Sequence, residues 1–193
     1  MSRSTTNNSL LTLIEGGIIV GICFVLQYIP NSAGVSSIQF SYGLIPLAIY
    51  AVRRGTFPAM IAGGVWGTLD WIRTGGGVVF GPQQIILEYP VAFALAGLTG
   101  LGAYQVVKAI KQDKLNRAYA LMLLYFSIGT LAKYSAHFFA GGWFWGAYAP
   151  KWANPWLWSL IVNGGSAVAN IVLAGVLFWV LVKKYPRLFN SQR

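Results

Sequence analysis

Long apolar runs, interrupted by short stretches rich in Gly, Pro and charged residues, alternate along the sequence. A helix needs about 20 mostly apolar residues to cross a hydrocarbon core of about 30 Å. The pattern therefore predicts an all-α integral membrane protein with six transmembrane helices. The predicted helices cover residues 10–29, 40–52, 56–72, 82–107, 118–140 and 155–182.

Two of the predicted helices, the second and the third, are short, and each contains a proline, Pro46 and Pro58. Because neighbouring helices must satisfy the backbone groups that a proline frees, kinks or partial burial behind other helices are expected there. No internal repeat and no long linker divides the chain. Residues 1–193 are therefore expected to form a single transmembrane domain.

Composition favours a membrane protein over a nucleic-acid-binding one. Hydrophobic residues make up 56% of the chain and charged residues only 9%, against about a quarter in soluble domains. The formal charge of +10 comes from basic residues in short gaps between apolar runs, whereas a nucleic-acid-binding protein gathers them on one folded surface. We therefore expect a lipid bilayer, and no nucleic acid, as a partner.

Basic residues also set the expected orientation. If the chain crosses the membrane six times, eleven of the fourteen Lys and Arg residues fall on one side. By the positive-inside rule this side is the cytoplasm, so both termini are expected there, in a multi-pass protein of the cell membrane. The expected outer side consists of residues 30–39, the Gly-rich stretch 73–80 and the aromatic loop 141–155.

Several polar groups inside the predicted helices share the outer third of the membrane. Glu88 lies roughly 9 Å below the outer end of the fourth helix, at a rise of about 1.5 Å per residue. An ionised side chain there costs about 2.5 to 3.5 kcal/mol, so it is expected to face a bundle interior or a wet cavity. The same depth holds Trp66 in the third helix, Lys133 and His137 in the fifth, and Asn163 in the sixth.

Seven aromatic residues lie within sixteen positions beside these polar groups. Aromatic faces attract cations, and a carboxylate supplies the counter-charge. The sequence therefore predicts an outward-facing pocket for a small organic cation, whose hydrogen-bonding edges meet Glu88, His137 and Asn163. The aromatic residues are Trp143, Phe144, Trp145, Tyr148, Trp152, Trp156 and Trp158.

Each of these residues also has a purely structural interpretation. Aromatic residues at the outer boundary often form an interfacial belt. Glu88 can be the partner of Lys133 or His137 within the bundle, and Asn163 can hydrogen-bond between helices. The acidic residues near helix ends are interpreted as charges at headgroup level: Asp70 and Glu15.

Motifs for ATP hydrolysis, metal binding and covalent catalysis are absent from the sequence. It contains no G-x-x-x-x-G-K-[ST] loop, so ATP-driven transport would require a partner. It contains one histidine and one cysteine, and no H-E-x-x-H. We therefore expect no enzyme activity, no metal and no cofactor.

Gly17 and Gly21 stand four residues apart in the first apolar helix. This spacing lets the backbone of another helix approach closely. The spacing alone leaves two interpretations open, packing within this chain and docking to another subunit.

Short motifs in order along nearly the whole chain resemble those of one family. The motifs are Ile45-Pro46-Leu47, Arg53-Arg54-Gly55, Trp66-Gly67, Leu87-Glu88-Tyr89, His137, the run from Trp145 to Lys151, and Val162-Asn163-Gly164. Together they resemble the thiamine-specific substrate-binding component of energy-coupling factor transporters. The segments around Glu88, His137 and Trp145 make the resemblance specific.

The resemblance implies a six-helix bundle that binds thiamine near its outer face and has no ATPase of its own. It also implies docking onto a module of one membrane coupling subunit and two ABC-type ATPases. Gly17 and Gly21 match the family's docking face, which favours docking over packing within this chain. The residues that match the family's thiamine-binding positions are Glu88, Asn163, Trp145, His137, Tyr89 and Trp66.

Departures from the family pattern occur at two pocket positions. Trp158 stands where a tyrosine is expected; it can still stack on a ligand, and we keep it as a candidate binding residue. Val78 stands near the place of another expected tyrosine, so that side of the pocket is expected to differ. The Ser- and Gly-rich loop 30–40 corresponds to the family's gating lid.

The favoured function is therefore high-affinity capture of thiamine at the outer face, for ATP-driven uptake by a partner module. The alternatives are a binding component for another vitamin or small cation, a stand-alone secondary transporter, and a membrane enzyme that uses Glu88 and His137 as acid and base. The sequence shows no inverted repeat with paired broken helices, which disfavours the secondary transporter. It offers no nucleophile or metal set for the enzyme.

Overall fold

The computed structural model describes residues 2–32, 37–75 and 80–190 of the chain. Within these residues the fold is all-helical, and the only extended pairing is an isolated antiparallel bridge between Ser32 and Gln39. Two short 3-10 helices are Gly146–Tyr148 and Pro186–Phe189. The long helices are α1 (Ser2–Leu26), α2 (Leu44–Arg54), α3 (Thr56–Arg73), α4 (Pro82–Lys111), α5 (Leu115–Phe144) and α6 (Pro155–Lys184).

The six helices predicted from the apolar runs are confirmed, although some of their ends differ. The polar residues 2–9 belong to α1 because no Gly or Pro interrupts them. α1 ends at Leu26 and α2 begins at Leu44, so the predicted ends at 29 and 40 fall in the connecting segment. The apolar pattern therefore predicts the presence of each helix correctly, but not the residues at which a helix begins and ends.

Neither Pro46 nor Pro58 kinks its helix, which corrects an expectation from the sequence. Each lies in the first turn, where a proline removes no N–H that the helix uses. The irregular helix is α4, where Pro90 lies in a π-helical turn, Leu87–Val91. Because Pro90 has no N–H and its ring clashes with the preceding turn, the hydrogen-bond ladder shifts there. Glu88 belongs to this turn.

Three helices of the described chain are long and apolar enough to cross a membrane: Asn8–Leu26 within α1, then α4 and α6. α2 has 11 residues, which at about 1.5 Å per residue is too short for a full crossing. It lies partly behind other helices, as expected, and its buried face includes Leu47, Ala48 and Val52.

α3 and α4 pack closely because glycines line α3 where it meets the irregular part of α4. A Cβ at Gly63 would lie 2.3 Å from the carbonyl oxygen of Phe93, and a Cβ at Gly67 would lie 2.3 Å from that of Tyr89. Side chains cannot be accommodated at such distances unless the backbone moves. The two glycines therefore help to fix the turn that contains Glu88.

Gly67→Ala is expected to lower the thermal unfolding temperature, because overpacking costs about 1 to 3 kcal/mol. Gly64→Ala is the matched control on the same helix, since a Cβ there would meet the carbonyl oxygen of Pro90 at 3.6 Å, an ordinary contact. Differential scanning fluorimetry of the detergent-purified variants measures the difference. Equal unfolding temperatures for the two variants would contradict the close contact between α3 and α4.

One end of the bundle, here named the basic end, is formed by the start of α3, the end of α2 and residues 186–190. Glu15 of α1 forms ion pairs with Arg53 and Arg54 there. Arg53 also donates to the carbonyl oxygens of Leu188, at 3.1 Å, and Asn190, at 3.2 Å. Glu15 therefore connects helices, which corrects its interpretation as a headgroup-level charge.

Candidate ligand-binding site

A cavity of about 280 Å³ lies at the opposite end of the bundle, here named the aromatic end, beside Trp145 and Pro155. Its walls come from α3 to α6 and from the segment between α1 and α2. Ligand sites combine concave, largely apolar walls with a few placed polar groups. Six of the seven residues predicted to bind a ligand line the cavity, namely Glu88, Tyr89, His137, Trp145, Trp158 and Asn163.

Two neutral donors hold the carboxylate of Glu88. The indole Nε1–H of Trp145 donates to Glu88 Oε1 at 2.7 Å, and the side-chain amide of Gln84 donates to Oε2. The backbone N–H of Phe80 donates to Gln84 Oε1 at 3.1 Å, which orients that amide. Glu88 forms no ion pair in the part of the chain that the structure describes. Its negative charge is therefore without a salt-bridge partner there.

Lys133 and His137 pair with each other and not with Glu88. Lys133 Nζ lies 3.0 Å from His137 Nε2, one helical turn away on α5. It also lies 4.4 Å from the ring centre of Phe93 and 4.5 Å from that of Tyr134. Which of these two nitrogens donates depends on the tautomer of the imidazole. Neither group forms an ion pair with Glu88 in the described chain, although a positive charge on Lys133, which lines the same cavity, still attracts the Glu88 carboxylate.

Asn163 connects α5 and α6 at the cavity wall. Its Nδ2 donates to the carbonyl oxygen of His137 at 3.3 Å, and lies 3.1 Å from both the carbonyl oxygen and Oγ of Ser159. Ser159 Oγ donates to the carbonyl oxygen of Phe138 at 2.8 Å. The interhelical hydrogen bond considered for Asn163 is thus present, and the same side chain lines the cavity.

Trp158 lines the cavity with an indole N–H that is buried and has no hydrogen-bond partner among the described residues. Its ring packs perpendicular to that of Trp152, with 5.8 Å between ring centres. A buried donor left unpaired costs about 1 to 3 kcal/mol. A ligand acceptor at this position would remove that cost.

Asp70 and Arg73 form an ion pair at the cavity, with 2.8 Å between Arg73 Nη2 and Asp70 Oδ1. Asp70 is buried and lines the cavity, so it faces the bundle interior; its depth at the headgroup level stays a prediction. The guanidinium of Arg73 also lies over the ring of Tyr28, at 5.6 Å. Because the charges of Asp70 and Arg73 compensate each other, Glu88 remains the acidic group available to a cation.

Trp66 is the one predicted binding residue of α3 to α6 that does not line the cavity. Its side chain is fully buried, and its ring packs edge-on against Phe93 with 4.6 Å between ring centres. Phe93 lines the cavity in its place. Trp66 thus supports the wall from behind, because depth along a helix does not tell which face a side chain occupies. Its contact with a ligand stays a prediction.

Gly17 and Gly21 lie on an exposed face of α1, away from the cavity. A Cβ at either position would meet no atom within 4 Å. Packing within this chain therefore does not use these two glycines. Two other features expected from the sequence, Val78 and the middle of the 30–40 loop at 33–36, lie outside the described residues.

A family model described as "Thiamine transporter protein" matches residues 13–190. The chain belongs to the thiamine transporter family. The resemblance found in the motifs is therefore confirmed, and the protein is a membrane protein of a transporter family.

Individual members of the thiamine transporter family agree over nearly the whole chain. The sequence is 49% identical over 188 residues to the thiamine transporter ThiT of Lacticaseibacillus paracasei, with 96% of this chain and 94% of the relative covered. It is 27% identical over 194 residues to ThiT of Bacillus subtilis, with 97% and 98% covered. A solved structure of ThiT from Listeria monocytogenes matches with a TM-score of 0.89 and 34% identity, covering 95% of this chain and 99% of that one.

A polar stripe along α6 of this thiamine transporter family member was not recognised from the sequence. Ser159, Asn163, Ser166 and Asn170 follow one another at intervals of four, three and four residues, which places them on one helix face. Ser166 lines the cavity, and Asn170 is buried beside it. The spacing was the available signal, because four polar residues on one face of an apolar helix indicate a polar interior surface.

Proposed function

We propose that this chain binds thiamine in the cavity at the aromatic end, with the carboxylate of Glu88 as the counter-charge of the ligand. The observation that carries the proposal is the position of that carboxylate. It is bound by the neutral donors of Trp145 and Gln84, lacks a salt bridge in the described chain, and lines an aromatic-walled cavity. A cation that enters the cavity would form the direct ion pair with Glu88 that Lys133, which contacts His137, does not form in the described chain.

The chemistry of thiamine fits these walls. Thiamine joins a flat, positively charged thiazolium ring to an aminopyrimidine with hydrogen-bonding edges. The rings of Trp145 and His137 offer flat faces, and indole faces bind delocalised cations well. Asn163 and the unpaired N–H of Trp158 offer hydrogen bonds to ligand edges. Tyr89, which follows Glu88 in the π-helical turn, is proposed as a further contact.

Isothermal titration calorimetry of the detergent-purified chain tests the ligand. Thiamine is expected to bind at one site per chain, while riboflavin, biotin and choline give no heat. Riboflavin is an uncharged vitamin and biotin an anionic one, both of other shapes, and choline is a small cation without aromatic edges. Binding of one of these three in place of thiamine would contradict the proposal and assign the cavity to another vitamin or cation.

We propose further that the chain is a single domain that crosses the membrane six times, with both termini in the cytoplasm; the pass of the short α2 includes the segment 38–43 that precedes it. The support is the clustering of Arg53, Arg54 and the C-terminal segment at the basic end, since cytoplasmic loops carry the excess of basic residues. Asn116→Cys and Ala147→Cys, made in a Cys23→Ser background, place single thiols at the two ends. A membrane-impermeant maleimide applied to intact cells should label only the thiol at position 147; labelling at 116 would contradict this orientation.

Transport also requires a source of energy, and we propose that a module of a membrane coupling subunit and two ATPases supplies it. The chain itself has no phosphate-binding loop. α1 offers the docking face, because Gly17 and Gly21 leave its exposed side shallow. Small residues at such positions let another helix approach closely.

Gly17→Leu with Gly21→Leu is expected to abolish co-purification with the ATPase module and thiamine uptake by proteoliposomes. Thiamine binding by the isolated variant should be unchanged, because neither position touches the cavity. Val172→Phe, on an exposed face of α6, is the matched control for added bulk in lipid and should retain both activities. Uptake by vesicles that contain this chain without any ATPase would contradict the proposal and indicate a secondary transporter.

A further inference from the structure

The side chain of Asn170 lies within hydrogen-bonding distance of four groups, although it does not line the cavity. Its Oδ1 accepts from the backbone N–H of Ser41 at 2.8 Å. Its Nδ2 lies 2.8 Å from the carbonyl oxygens of Gln39 and Ser166, and 3.0 Å from Tyr134 Oη. Asn170 is 2% exposed, so these bonds form away from solvent, where an unpaired amide is costly.

The groups that Asn170 binds form part of the cavity wall. Gln39, Ser41 and Ser166 all line the cavity. The backbone N–H of Gln39 also donates to Ser166 Oγ at 2.9 Å, beside the Asn170 amide. Residues 38–41 belong to no helix, so their backbone groups need partners from elsewhere. α6 supplies these partners through two side chains of its polar stripe.

The same amide connects this segment to the opposite wall. Tyr134 belongs to α5, and its ring centre lies 5.7 Å from that of His137. Tyr134 also forms part of the aromatic surroundings of Lys133 Nζ, at 4.5 Å. Asn170 therefore joins three elements that surround the ligand site: the 38–41 segment, α6 and the turn of α5 that contains His137.

We propose that Asn170 is a positioning residue that fixes the 38–41 segment against α5 and α6, and thereby sets how long a bound ligand stays in the cavity. A wall segment that is released from α6 opens a path from the cavity, which raises the dissociation rate. Association changes less, because the charged and aromatic groups that attract the ligand stay in place. The inference rests on the proposed function only for the identity of the ligand.

Stopped-flow tryptophan fluorescence tests the effect on residence time. Asn170→Ala is expected to raise the dissociation rate of thiamine by about tenfold, which corresponds to roughly 1.4 kcal/mol, with little change in the association rate. Asn170→Asp keeps an acceptor for the Ser41 N–H but sets a buried carboxylate against the carbonyl oxygens of Gln39 and Ser166, so its rate should rise at least as much as that of Asn170→Ala. Phe178→Ala, which removes a fully buried side chain far from the cavity on α6, is the control for general destabilisation.

Phe178→Ala should lower the unfolding temperature and leave the dissociation rate unchanged. A wild-type dissociation rate in Asn170→Ala, or an equal rise in Phe178→Ala, would overturn the inference. Hydrogen–deuterium exchange of the ligand-free protein gives a second readout that does not depend on thiamine. Exchange at 38–43 is expected to rise in Asn170→Ala and not in Phe178→Ala. If wild type binds no thiamine, the proposed function fails, and unchanged exchange at 38–43 overturns the positioning role separately.

Discussion

Glu88→Gln is expected to weaken thiamine binding by about a hundredfold or more. A hydrogen bond to a charged group is worth about 1.5 to 3 kcal/mol, and about 1.4 kcal/mol corresponds to tenfold in affinity. The variant loses the counter-charge, and its amide also meets two donors, the indole N–H of Trp145 and the amide of Gln84, with only one acceptor oxygen. Calorimetric titration of the purified variant measures the dissociation constant.

Asp113→Asn is the matched control for the change from acid to amide. Asp113 lies in the turn between α4 and α5 at the basic end, with a backbone φ of 56°, a conformation that asparagine adopts readily. The dissociation constant of the Asp113→Asn variant for thiamine should equal that of wild type. A Glu88→Gln variant that binds within a factor of three of wild type would show that the carboxylate does not bind the ligand.

Trp145→Ala is expected to cause a loss of similar size, about thirtyfold to a hundredfold. The variant removes an aromatic face, for which a desolvated cation gains about 2 kcal/mol. It also removes the donor at 2.7 Å that orients the Glu88 carboxylate. Trp145→Phe keeps an aromatic face and loses the N–H, so its affinity for thiamine should lie between those of wild type and Trp145→Ala. Because the substitution removes a tryptophan fluorophore at the cavity, a smaller fluorescence change would not by itself show weaker binding. Calorimetry therefore measures the affinity.

Trp143→Ala is the control for loss of a nearby tryptophan. Trp143 lies two residues before Trp145, is 62% exposed, and packs on Phe139 and Trp156 outside the cavity. This exposed cluster matches the interpretation of these residues as an interfacial belt. Its removal should leave thiamine affinity unchanged. Equal losses of thiamine affinity in Trp143→Ala and Trp145→Ala would show that both substitutions disturb the aromatic end in general, and would contradict a direct role of Trp145.

The sequence was sufficient to predict the six helices and most of the cavity. Apolar runs identify helices because lipid leaves few other arrangements for a polar backbone. Glu88 was identifiable as a candidate site residue because an ionisable side chain inside a membrane-spanning apolar run is costly and usually has a function. His137 and Asn163 were placed at the same depth by counting residues, and Trp145 was placed beside them in the outer aromatic loop. All three line the cavity.

Features that depend on helix rotation and on local irregularity could not be predicted in this way. Trp66 lies at the depth of the cavity, but its ring packs behind Phe93 and does not line the wall. Asp70 lies near a helix end, but it is buried and forms an ion pair with Arg73. The π-helical turn forms at Pro90, and the close packing of this turn against Gly67 of α3 is a tertiary contact that a one-dimensional pattern does not contain.

A crystal structure of the purified protein with thiamine tests the central claim most directly. The account predicts ligand density in the cavity, with an atom of the ligand within hydrogen-bonding distance of a Glu88 oxygen and a ring stacked on Trp145. It also predicts that the Trp158 N–H acquires a partner. Thiamine density outside this cavity, or density within it that leaves Glu88 without a ligand contact, would contradict the account.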